Sequence, residues 1–158
     1  RFDPLPKCLR AARYRFEIVA DFGVWKDLRR HRRNEIWRAP FTAQLGFQVP
    51  EDIEALGSKA IETYAQAMVT AQTTHQQLLE LGYLSEAQYA VAQGHFQHWG
   101  VDMDLEQVYY ISELRTQPQG HISYRRVAHQ FYDLVKSQHP TLVQHTLVHP
   151  VEGIGAHH

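Results

Sequence analysis

The sequence predicts an α+β fold, a small and mostly antiparallel sheet packed with several long helices. Three observations carry this. In Tyr14–Ala20, the residues Tyr14, Phe16, Ile18 and Ala20 alternate with Arg15, Glu17 and Val19. That is a period of two with one apolar exception, as a half-buried strand shows. Two other stretches place apolar residues at spacings of three and four, as one face of a helix requires: Ile53 to Leu79, and Tyr124 to Val135. Finally, the expected strands and helices do not strictly alternate, which argues against a doubly wound parallel sheet.

Taken in order, Arg1–Lys7 carries two prolines and reads as an extended lead-in. After the first strand, Asp21 is placed to cap a short helix over Phe22–Arg29, with Phe22, Trp25 and Leu28 at helical spacing. Asn34–Trp37 and Phe41–Val49 read as extended segments, interrupted by Pro40 and Gly46. Pro50 suits the first turn of a long helix. Its stripe is Ile53, Leu56, Ala60, Tyr64, Ala67, Met68, Ala71, Leu78 and Leu79, expected to pack into the core, and Gly82 is its stop. Ser85 and Gln88 have the spacing of a capping box, predicting a helix to about Phe96. His98–Met103 reads as a strand, and Asp104 as the cap of a helix over Leu105–Leu114. Pro118–Gly120 makes a turn, and a last long helix covers His121–Gln138, with Pro140 as its stop.

The chain has 158 residues, enough for one domain with a real core, expected over residues 1–150. Residues 151–158 read as a polar tail, with His157 and His158 the start of a purification tag. A first residue of Arg rather than Met suggests a fragment. The formal net charge is -1, so bulk attraction to nucleic acid or membrane is excluded and any basic site is local. Cys8 is the single cysteine, which rules out an internal disulfide and suits a reducing, cytoplasmic setting. No apolar run approaches the roughly 20 residues needed to span a bilayer.

Charge of one sign concentrates in one place: Arg29, Arg30, His31, Arg32 and Arg33. Two readings compete. Cations at a helix C-terminus are favoured by its dipole, so the run is an ordinary solvated helix end. Alternatively, the guanidinium forks hold a phosphate and the histidine donates or stacks beside them.

The run Arg30-His31-Arg32 follows a strand written YRFEIVA and a helix written DFGVWKDL. Downstream stands Tyr110-Ile-Ser-Glu-Leu-Arg115, then Pro118-Gln-Gly-His121 and an amphipathic helix. Together these resemble the flavin-dependent thymidylate synthases, the ThyX family, whose second block is written FLxLR…HAQWEIR. The resemblance covers about Leu9 to Val143, with the N-terminal part of the family domain absent. It implies a ThyX-like α+β domain. It also implies a reaction: methylation of dUMP to dTMP with methylenetetrahydrofolate, using FAD reduced by NADPH, in a homotetramer whose sites lie between subunits. Carried over, His31 and Arg32 would contact flavin, and Arg30 and Arg115 would hold the dUMP-like substrate.

The departures fall on ligand positions. Where the family pattern has two serines and a last arginine, this chain has Glu35, Pro40 and Thr42. A glutamine three residues before the motif is replaced by Asp27. A second substrate-binding arginine falls at Gln88, and an asparagine near Tyr110. Asp27 and Glu35 would add negative charge beside an anion, and Pro40 removes a backbone donor. The expectation is therefore a divergent member with a degraded substrate and flavin site and a structural or assembly role, in a homo-oligomer or beside a tandem domain. Two alternatives stand: an active FAD-dependent thymidylate synthase completed by another chain or domain, and a phosphate-ligand or nucleic-acid binder using Arg29–Arg33, with the net charge against nucleic acid.

Other candidates carry less. His139, His145 and His149 with Glu152 do not make up a zinc site, because Pro150 interrupts a continuing helix and cysteine ligands are lacking; no metal is expected. Asp102, Asp104 and Glu106 read as a helix-capping group rather than a catalytic pair. Cys8 reads as an ordinary thiol, and Trp25, Trp37 and Trp99 as core or interface aromatics.

Overall fold

The computed structural model describes residues 4–151, so the proposed tag residues and Glu152 lie outside the described residues. It has an α+β fold with three strands and seven α-helices among the described residues. The strands are β1 (Arg13–Asp21), β2 (Glu35–Arg38) and β3 (Phe96–Asp104), in the sheet order β1-β3-β2 and antiparallel. The helices are α1 (Phe22–Leu28), α2 (Glu51–Glu54), α3 (Ser58–Glu80), α4 (Leu84–Ala87), α5 (Leu105–Arg115), α6 (Ile122–Gln138) and α7 (Pro140–Val143). The chain divides into two compact units. One comprises Arg1–Glu17, Asp27–Trp37 and Gly100–His158; the other comprises Ile18–Lys26 and Arg38–Trp99.

In the first unit, the alternation of β1 puts Phe16 inside, its ring 4.7 Å from that of Phe131 on α6. Val127, Phe131 and Val135 repeat at fours along α6 and are all buried, as their spacing predicts. Fully burying such side chains contributes about 1.5–3 kcal/mol each. The opposing face is α5, where Val108, Tyr109, Ile111 and Ser112 are buried. Asp104 caps α5 as expected, its carboxylate accepting from the Gln107 N–H at 2.8 Å. α6 ends at Gln138, ahead of Pro140 as expected, and Pro140 then opens the one-turn α7. A proline at the first helical position loses only an N–H that has no partner there anyway. Arg125 is buried and donates to the carbonyls of Thr116 (3.1 Å) and Pro150 (2.9 Å), which holds the segment after α7.

In the second unit, Asp21 caps α1 through the Val24 N–H at 2.8 Å. The long helix expected from Pro50 is interrupted. Gly57 takes φ 92°, a left-handed conformation that ends α2 before α3 begins, and Gly82 at φ 84° stops α3 as expected. Of the apolar stripe on this stretch Met68 is buried, Ile53, Ala60, Tyr64, Ala71, Leu78 and Leu79 are half-buried, and Ala67 and Leu56 are exposed. Periodicity puts residues on one face, but another element must cover that face before it becomes core. Phe41–Val49 forms no strand; its one ladder contact is a bridge from Phe47 to His95. Ser85 lies inside α4, whose N-cap is Tyr83, and the Gln88 side-chain Oε1 instead accepts from the Phe41 N–H at 3.0 Å. The helix predicted to reach Phe96 ends in a 3-10 turn at Ala90.

Candidate functional site

The first unit brings part of the basic run and the distant Arg115 together. His31 follows α1 in a turn, its N–H donating to the Leu28 carbonyl (3.2 Å) and its carbonyl accepting from Asn34 (3.1 Å). That turn directs the imidazole inward, and His31 is 7% exposed. Arg115, the last residue of α5, donates from Nε to His31 Nε2 at 2.9 Å and from an Nη to the Asp27 carbonyl at 3.3 Å. Its guanidinium lies 5.4 Å from the Tyr124 ring centre. Tyr110, one turn earlier on α5 and half exposed, sets its ring edge-on to His31 at 5.7 Å.

The electrostatics follow from this geometry. Burial, and then the Arg115 charge, push the His31 pKa down from 6.5 to about 4. His31 is therefore neutral at pH 7, and because Nε2 accepts from Arg115, the ring proton resides on Nδ1. A neutral imidazole used as an acceptor is not available as a cationic anion ligand.

Arg30 and Arg33 of the run pair with carboxylates. Arg30 reaches the Asp27 carboxylate at 3.6 Å, so Asp27 serves Arg30 with its side chain and Arg115 with its carbonyl. Arg33 pairs with Asp104 (3.2 Å) and Glu106 (2.7 Å), and Arg10 joins Glu106 at 2.6 Å. Those two hydrogen bonds, from Arg10 and then Arg33, hold the Glu106 carboxyl down at about 2. Asp102 takes Arg13 and Arg15. The acidic group is thus both a helix cap and the counter-charge of four arginines. Arg32 is exposed, and no hydrogen bond or ion pair ties it to the His31 cluster among the described residues. Of the four residues singled out in the sequence, His31 and Arg115 touch, Arg30 joins them through Asp27, and Arg32 stands outside.

Glu35 is turned away from the cluster: it is exposed and 3.6 Å from Arg13. Gln88 and Thr42, standing where the resemblance expects arginines, hold backbone in the second unit. Gln88 secures Phe41, and Thr42 is clamped at both its N–H and its carbonyl by the buried Gln97, at 3.0 and 2.8 Å. Tyr124 was legible as part of an apolar stripe, but nothing in its spacing marked it as the ring beneath Arg115. Among the described residues no three or more His, Cys, Asp or Glu side chains group as metal ligands, and no helix is long and apolar enough to cross a membrane.

Known proteins resemble this chain over most of its length. The profile of the family described as thymidylate synthase complementing protein (Thy1) matches residues 6–141. A UPF0159 protein of Thermoplasma acidophilum is 36% identical over 132 residues, covering 84% of this chain and 26% of the relative. A UPF0159 protein of Chlamydia muridarum is 33% identical over 135 residues, covering 85% of this chain and 25% of the relative. One of Chlamydia pneumoniae is 33% identical over 123 residues, covering 78% and 23%. The chain therefore spans about a quarter of the length of these curated relatives.

Proposed function

Since the chain belongs to the thymidylate synthase complementing protein family, we propose that it is a divergent ThyX-like domain. On this reading it is related to FAD-dependent methylation of dUMP to dTMP, its nucleotide and flavin site is degraded, and its role is structural or one of assembly. The observation that carries this reading is the commitment of Arg115. A guanidinium that would hold a substrate phosphate is turned onto a neutral histidine and a backbone carbonyl. The neighbouring Arg30 and Arg33 face carboxylates of the chain itself. A phosphate held through those same N–H groups would have to compete with these partners. With Glu35, Pro40 and Thr42 at positions where the resemblance expects ligands, these contacts support a reduced donor set for the flavin diphosphate and for dUMP.

An assembly role is supported by the second unit. Leu81, Leu84 and Tyr89 lie together in sequence, from the end of α3 through α4 to the 3-10 turn after it, at 70%, 67% and 92% exposure. Apolar surface of this kind suits a second copy or a tandem domain.

The alternative, an active enzyme completed by another chain, has one observation in its favour. Arg115 uses two of its five N–H bonds in the contacts described, leaving three for an oxyanion. Purification followed by visible absorbance separates the two. The degraded-site reading expects no flavin bands and no dUMP-dependent NADPH oxidation. Stoichiometric bound FAD would overturn it.

A further inference from the structure

The second unit holds a guanidinium in a quite different way. Phe22 and Trp25, three apart on α1, present their rings on one side of the helix with centres 5.6 Å apart. Phe41 closes the group, 4.5 Å from Phe22 and 4.9 Å edge-on to Trp25. The Arg38 Cζ sits 4.0 Å from the Phe41 ring centre and 5.6 Å from that of Trp25. No carboxylate pairs with Arg38 among the described residues; its one hydrogen bond is to the carbonyl of its neighbour Ala39, at 3.0 Å. The positive charge is therefore met by ring faces, whose quadrupoles attract cations.

The rings are held independently of the arginine. The Phe22 N–H donates to the His95 carbonyl at 3.0 Å, and the Gly23 N–H to that of Gln93 at 3.2 Å. Gln88 accepts from the Phe41 N–H, and Gln97 clamps the following Thr42. Phe22, Trp25 and Phe41 are each half-buried, so the group is partly accessible, while Arg38 is exposed. The walls are built into the unit and the occupant is a replaceable side chain at the end of β2.

We propose that Phe22, Trp25 and Phe41 form a recognition site for a guanidinium group, which Arg38 fills as an intramolecular ligand. The site takes a planar cation because the close stacking distance on Phe41 suits a flat group, and it rejects a neutral one of the same shape. An external guanidinium gains entry by displacing Arg38. None of these residues belongs to the His31 cluster, so the proposal stands apart from the family reading.

The test uses the full chain and the indole N–H resonance of Trp25, assigned with Trp25→Phe. Arg38→Ala is titrated with methylguanidinium and, separately, with uncharged methylurea. The expected result is a saturable shift with methylguanidinium and none with methylurea. Wild type should need roughly two- to fivefold more ligand, because Arg38 competes. Adding Phe41→Leu to Arg38→Ala should weaken binding severalfold. Arg38→Gln serves if circular dichroism shows Arg38→Ala misfolded. A Gly-Arg-Gly amide identifies the source: tighter binding than methylguanidinium assigns the site to an arginine of a polypeptide partner, equal binding to a free guanidino compound. The proposal fails if the indole does not shift, if methylurea shifts it equally, or if Phe41→Leu leaves the response unchanged.

Discussion

Two arginines in this chain hold their charge in opposite ways. Arg115 is directed by lone pairs: a neutral imidazole nitrogen and a carbonyl fix two of its N–H bonds, and Tyr124 lies beside it. Arg38 is directed by ring faces and touches a single backbone oxygen. Hydrogen bonds are directional and leave an unsatisfied partner behind when one side is removed; ring attraction is broad and leaves nothing unpaired. The first arrangement is therefore costly to disturb and the second cheap. A cation that is costly to disturb belongs to the architecture, and one that is cheap to disturb can be exchanged.

The largest expected effect separates them by pH. His31 has a folded pKa near 4 against 6.5 when unfolded. Above 6.5 it is neutral in both states and its contribution to stability is complete. As pH falls from 6.5 towards 4 the unfolded chain takes up the proton and the folded chain does not, so stability is lost, by up to about 3 kcal/mol. Urea melts across this window should show that loss, and His31→Gln should flatten it.

Next comes Arg115→Met, which leaves His31 Nε2 and the Asp27 carbonyl without their donor. Stability should fall by about 1–3 kcal/mol at pH 7. The His31 pKa, followed by NMR, should rise at the same time, since a nearby positive charge has gone. A fall in stability with the His31 pKa unmoved would mean that the contact matters only as packing. The smallest effect is expected for Arg38→Ala, about 0.5–1 kcal/mol in the same melts. A loss matching that of Arg115→Met would erase the distinction between the two clusters.

Local spacing determined much of this protein. The alternation in Tyr14–Ala20, the caps at Asp21 and Asp104, the stop at Gly82 and the Val127–Phe131–Val135 face all read correctly, because each depends on residues within one or two turns. The pattern around Arg30-His31-Arg32 and Arg115 was enough to place the chain in its family. Tertiary structure decided what those residues do. His31 and Arg115 are 84 positions apart, and whether Arg115 faces a ligand or an imidazole depends on how α5 meets the turn after α1. The partners of Arg33, 71 and 73 positions away, were equally hidden, as was the only partial burial of most of the Ile53–Leu79 stripe. Sequence specifies which groups share a face, but what lies against that face is settled by the path of the rest of the chain.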